Sequence, residues 1–236
     1  MDAQGSGLAD LHMHTVASDG FPTVQELLDY VAAQGRLDVI AVTDHDTLEA
    51  SLWAYAHRDD YPFDIVPGVE ISSRGGHVLG LWVTQPVPRD FSLTETVAAI
   101  HEQDGLAVLA HPFELFVDYH LWWRYLTRPE VLLESGIDAI EAHNSGAPSP
   151  GGNLLSRRMA RKLKLPMTGS SDAHTLTAIG CGVTCFEGRT ALDLRRAILT
   201  GRTGAEGQLW PITDYLRLLP TSTRRTPKES LGTTAP

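Results

Sequence analysis

Short runs of consecutive apolar residues alternate along the chain with stretches in which apolar side chains recur every three to four positions, predicting strands and helices in turn. Residues 8–14 predict the first strand, with Leu11 and Met13 on one face and His12 and His14 on the other. Thr23, followed three residues later by Glu26, has the wording of a capping box. Val24, Leu27, Leu28 and Val31 then fall on one helical face. Residues 38–45 form a nearly unbroken apolar run, as expected of a parallel strand buried on both faces, and a helix over 48–57 follows. A third strand covers 64–71. The link over 72–76 is too short for a crossover helix, so the strand over 77–83 must return antiparallel. Further on, the pattern predicts a helix over 92–103, strands over 106–111 and 137–144, a basic helix over 153–164, a strand over 181–186 and a helix over 191–199. The aromatic segment over 113–135 reads as partly helical, a lid or a wall. Strand-helix alternation of this kind gives an α/β fold with a parallel sheet and right-handed crossovers.

The globular unit is expected to close near Gly204, giving a barrel over 1–204 and an extension over 205–236. A short docking helix is expected over 210–219. From residue 220 onward apolar periodicity is missing and disorder is expected.

Composition narrows the function classes. The chain has 236 residues, 42% of them apolar, enough for one barrel with a sizeable core. A formal net charge of −10 argues against a broad basic face and hence against strong duplex nucleic-acid binding. A small anionic ligand held by bound cations remains compatible with that sum. No cationic, apolar leader opens the sequence and no apolar run approaches a membrane span, so a cytoplasmic protein without a membrane contact is expected. Cys181 and Cys185 lie four strand steps apart, roughly 13 Å, too far for a disulfide within a formed strand.

Histidine placement carries the chemistry. His12, His14, Asp19, His45, Glu70, His77, His111, Asp172 and His174 all fall at or just beyond the predicted strand ends, where an α/β barrel gathers its active-site loops. Any one histidine of this set is accounted for by a hydrogen bond near the core; recurrence in nearly every strand segment is not. One ion needs three or four protein ligands, so the set suffices for two to three divalent transition metals if carboxylates bridge. Imidazole and carboxylate without thiolate suit Mn, Zn or Fe.

Asp10-Leu-His-Met-His-Thr with Ser18-Asp-Gly, Thr43-Asp-His-Asp, Pro67-Gly-Val-Glu, Gly76-His-Val-Leu-Gly, Ala110-His-Pro and Ser171-Asp-Ala-His together resemble the PHP (polymerase and histidinol phosphatase) family of metal-dependent phosphoesterases, in the family's order from about residue 8 to 204. The resemblance implies a distorted, TIM-like (β/α)7 barrel with a trinuclear site. Carried over, His12, His14, Glu70 and Asp172 hold a first ion. Glu70, His77 and His111 hold a second, and Asp19, His45 and His174 a third, beside the reacting phosphate. The implied reaction is phosphoester hydrolysis by metal-activated hydroxide on a small phosphorylated substrate, a nucleotide or another small-molecule phosphate. Members acting on nucleotides carry a long helical insertion between the positions of His77 and His111, and here that interval is short.

Candidate helpers are Asp44 or Asp46 as orienters of the ligands, Arg74 and Arg157 as phosphate clamps, and His143 and Asn144 as contacts to the leaving group. Solvated charge is the alternative reading of both arginines, and a structural hydrogen bond that of His143. Two other functions remain open: amidohydrolase-type hydrolysis, and a metal-binding module without activity. Oligomeric state is not readable from the sequence.

Overall fold

The structure, a computed structural model, describes residues 6–218, with the side chains of residues 115–120 excepted. The segment from 220, where disorder is expected, lies outside the described residues. The first apolar run folds as β1 (Ser6–Asp10), paired in parallel with β2 (Val39–Val42) across the helix α1 (Val24–Gln34). Thr23 caps α1 through the expected reciprocal bonds with Glu26. The crossover α2 (Glu49–Ala56) leads to β3 (Asp64–Ser73), parallel to β2. The short link after β3 turns the chain back into β4 (Gly76–Leu81), antiparallel as its length requires.

Helix α3 (Leu93–His101), β5 (Leu106–Leu109), α4 (Leu115–Thr127), α5 (Glu130–Glu134), β6 (Ala139–Asn144), α6 (Gly152–Leu163) and β7 (Met167–Ser170) continue the alternation. They are followed by β8 (Gly182–Glu187), α7 (Ala191–Leu199), β9 (Gly204–Gly207) and α8 (Ile212–Leu218). One mixed sheet results, in the order β7-β6-β5-β4-β3-β2-β1-β8-β9. It curls until its two ends nearly meet. Thr184 on β8 then binds Gly169 on β7 twice, its Oγ1 accepting from the amide at 3.0 Å and donating to the carbonyl at 2.9 Å.

Alternation along each strand sets the layers. Ile40 and Val42 pack outward on Leu27, Leu28 and Val31 of α1 and Ala54 of α2. Val39 and Ala41 turn inward to Ala9, Leu79, Leu81 and Val108, filling the barrel with side chains. Leu121 and Tyr125 of α4 are buried in the core beneath β3 and β4, so this aromatic segment covers the core.

The chain departs from expectation at both ends of the barrel sequence. The strand expected over 8–14 leaves the sheet after Asp10. Residues 11–14 stay extended, but the loop after β7 takes the place of a neighbouring strand: the His14 amide donates to Ala173 and the Ala173 amide to His12. Past Gly204 the sheet continues as β9, and Trp210 is buried. Among the described residues no helix is long and apolar enough to cross a membrane.

Candidate metal centre

Two strand ends that are 160 residues apart in sequence lie side by side at one rim of the barrel. Met13 bridges Ala173, which sets the pair His12 and His14 directly against Asp172 and His174. A second bridge joins His45 to Glu70. The Glu70 carboxylate, buried to 1% exposure, becomes the hub. Its Oε2 lies 3.1 Å from His12 Nε2, 3.3 Å from His14 Nε2 and 3.1 Å from His45 Nδ1. Its Oε1 lies 2.9 Å from His77 Nδ1 and 3.1 Å from His111 Nε2. The antiparallel return of β4 is what delivers His77 to the same mouth as Glu70.

Asp172 Oδ1 stands 3.1 Å from His14 Nε2 and 3.5 Å from His12 Nε2. Asp19, presented by the Ser18-Asp19-Gly20 turn, reaches His174 Nε2 at 3.1 Å and His45 Nε2 at 3.7 Å. That turn folds so closely onto the His14 carbonyl that a side chain at Gly20 would collide with it. All nine residues singled out by sequence are thus brought together.

The donor set fits divalent cations. Four groups of ligand atoms, each within 4.8 Å of one another, can be drawn: His14, Asp19, His45 and His174; His12, His14 and Glu70; His12, His111 and Asp172; His45, Glu70 and His77. His12 Nε2, Glu70 Oε2 and His77 Nδ1 are buried in these close contacts without hydrogen-bond geometry, an arrangement that a cation between them would complete. Three of the seven described non-glycine residues with positive φ lie here: Asp46, His111 and Asp172 adopt φ of 54°, 26° and 53°.

Electrostatics of the bare cluster point the same way. Burial disfavours charge on His111 and His174, yet bonds to Glu70 and to Asp19 overcome it and push both imidazoles up to about 9. Burial likewise opposes ionisation of Asp19, but His174 and its neighbours hold that carboxyl at about 2. Glu70 and Asp172, although desolvated, are held well below the usual carboxylate range by the surrounding imidazoles. The carboxylates stay anionic and attract positive charge, whether protons or metal ions.

A family model described as PHP-associated matches residues 150–203. An uncharacterised protein of Methanocaldococcus jannaschii is 33% identical over 115 residues, 44% of this chain and 67% of that protein. The chain belongs to the PHP family. The fold of this PHP chain is similar to that of a solved two-domain protein from Bacteroides vulgatus, described as containing a predicted PHP-like metal-dependent phosphoesterase. The TM-score is 0.71 and the identity 20%, over 88% of this chain and 66% of that one. A 5'-3' exoribonuclease of Haemophilus influenzae is 33% identical over 103 residues, 42% of this chain and 37% of the exoribonuclease. The PHP chain therefore spans little more than a third of that nuclease.

Beneath the nine residues lies a support that sequence reading missed. Glu141, fully buried in β6, accepts from His12 Nδ1 at 3.0 Å and from the His111 amide at 2.9 Å. A carboxylate in the middle of an apolar strand was the available signal. Asp44, expected as an orienter, accepts from the Thr15 amide at 2.7 Å, from Thr15 Oγ1 and from Ser18 Oγ, shaping the turn that carries Asp19. Asp46 accepts from the Ser72 amide at 2.8 Å. Asp10 holds the base of the other side: it accepts from the Ser171 and Gly180 amides, and burial raises its carboxyl to about 6.

The helpers expected to touch substrate are engaged by other groups. Arg74 is two-thirds exposed and pairs with Glu95 at 3.4 Å, so it is not held as a phosphate clamp. Arg157 donates to the Ala205 carbonyl at 2.6 Å and braces β9 against α6. A β-bulge between Glu141 and His143 turns the His143 ring toward Ser145 and Gly207. The same bulge brings Asn144 beneath the cluster, where its Nδ2 donates to Glu141 and to Asp172 and no hydrogen is left for a leaving group.

Proposed function

We propose that the protein is a metal-dependent phosphoesterase whose reaction centre is the cluster around Glu70. The observation that supports this most directly is the convergence of six imidazoles and three carboxylates in which buried atoms of His12, Glu70 and His77 lie in close contact without hydrogen-bond geometry. In this reading His12, His14, Glu70 and Asp172 take one divalent ion, Glu70, His77 and His111 a second, and Asp19, His45 and His174 a third, with Mn, Zn or Fe as the matching metals. When bound, such ions supply Lewis acidity toward water and phosphoryl oxygen. Glu70, whose two oxygens face different imidazoles, would be shared by the ions held on either side of it. Asp19, His45 and His174, at the more open side, orient the phosphoryl group. Exposure of Asp19 at 54% leaves this side accessible to substrate.

The substrate class is a small phosphoester, a mononucleotide or another small-molecule phosphate. The exoribonuclease of Haemophilus influenzae acts on RNA, but the net charge of −10 offers no broad cationic track for a long strand.

The test is release of p-nitrophenol from p-nitrophenyl phosphate against p-nitrophenyl acetate after reconstitution with Mn, together with elemental analysis. Phosphate turnover, with two to three ions per chain, is expected, and His12→Ala or Asp172→Ala should abolish turnover and lower metal content. Ester cleavage without phosphate turnover would move the assignment to amidohydrolase-type chemistry. Less than one ion per chain after reconstitution would reduce the protein to an inactive module.

A further inference from the structure

One cavity opens directly off the cluster. It holds about 220 Å³, small beside the pockets of drug-sized ligands. His111, Asp172 and His174 form its inner end. Its outer walls are of another kind: Pro148 from the loop after β6, and Trp210, Tyr215 and Leu218 from the segment that follows β9. Among the described residues no lysine or arginine lines it.

The outer wall is built, since each ring has its polar end tied to backbone. Trp210 Nε1 donates to the Ser171 carbonyl at 2.6 Å, and Tyr215 Oη donates to the Ser145 carbonyl at 2.9 Å. The rings lie 5.2 Å apart, and the indole stands 5.7 Å from the His174 imidazole. Asp214, fully buried, accepts from Thr175 Oγ1 at 3.0 Å and Thr177 Oγ1 at 2.8 Å, fastening α8 to the loop that carries His174. With their polar atoms engaged, the rings offer the cavity mainly apolar surface.

We propose that the segment 208–218 is the specificity wall of the site, and that it selects phosphoesters in which a compact, uncharged planar ring lies close to the phosphate. This rests on the phosphoesterase reading. A phosphoryl group oriented by Asp19, His45 and His174 lies beside the inner end of this cavity, which His174 shares, and the next atoms of its ester enter it. A planar ring there gains contact with Trp210 and Tyr215. Among the described residues its outer walls offer a second phosphate no lysine or arginine, so bisphosphates and polyanionic chains are disfavoured.

Non-hydrolysable phosphonates separate this from the reaction itself. Binding of phenylphosphonate and of methylphosphonate to the Mn-loaded full chain is measured by calorimetry and by tryptophan fluorescence. Phenylphosphonate is expected to bind about tenfold more tightly, the scale of one stacked ring. In Tyr215→Ala the ratio should fall below about threefold, since the ring contact is removed. Tyr215→Phe, which keeps the ring, and Trp123→Ala, at an exposed position on α4, should retain it. Equal affinities in the parent chain, no binding of either phosphonate, an unchanged ratio in Tyr215→Ala, or loss in Tyr215→Phe would each overturn the proposal. If the ratio behaves as expected while phenyl phosphate is not hydrolysed, the specificity wall stands and the phosphoesterase reading fails.

Discussion

Glu141 shows how much of the centre depends on a residue that reaches for no ion. A neutral histidine presents Nε2 to a metal with its proton on Nδ1, a tautomer that an acceptor there fixes, and Glu141 Oε1, 3.0 Å away, is that acceptor for His12. Its other oxygen takes the His111 amide and Asn144 Nδ2, so all three donors need a carboxylate with both oxygens accepting. Glu141→Gln replaces one acceptor with a donor. The variant is expected to stay folded by circular dichroism while its metal affinity, measured by competition with a chromophoric chelator, falls about 10- to 100-fold. His57→Ala is the contrasting case. That ring stacks on Trp53 at the exposed end of α2, and metal affinity should be unchanged.

At the scale of elements, the closure between β7 and β8 brings the residues after β7 to those after β1. Thr184→Val removes both bonds to Gly169 within a buried contact and should lower stability by about 1–3 kcal/mol in urea unfolding, with a matching loss of metal retention. Thr23→Ala, which removes only the cap of α1, should cost about 1 kcal/mol and leave metal content as it was. The two variants differ in how legible their elements were. The cap, the apolar runs of β2 and β5 and the forced reversal of β4 are local consequences of spacing, readable from a dozen residues at a time. The nine clustered residues were legible for a similar reason, because they recur in or beside six strands, each within a short local pattern. What was hidden depends on contacts across the chain. The strand expected over 8–14 ends at Asp10 because the loop from the other end of the barrel occupies its flank. The bulge in β6 turns His143 toward Ser145 and brings Asn144 beneath the cluster, and no local pattern marks it. Arg74 and Arg157 carry charge suited to phosphate, but Glu95 and Ala205 engage them first.

For the molecule as a whole, the centre acts as a clasp, since its candidate ligands come from β3, β4 and the segments after β1, β2, β5 and β7 and join the two ends of the barrel sequence. Ions that bind only the folded chain therefore stabilise all of it, and the gain must depend on pH because the ions compete with protons. The sign follows from the imidazoles. In the metal-free chain His111 and His174 are raised from 6.5 to about 9, so they contribute stability that is complete below pH 6.5 and is lost as the pH climbs through about 9. Over that same interval deprotonation frees both rings to take metal. Thermal melts of chelator-treated protein should thus show Tm falling from pH 6.5 to pH 9, whereas saturating Mn should raise Tm by an amount that grows across the interval. Proton release on Mn binding, followed in weak buffer, should be larger at pH 6.5 than at pH 9. A metal-induced rise in Tm that is independent of pH, with no protons released, would mean that the ions bind outside this cluster and that the imidazoles around Glu70 serve only to pair its charge.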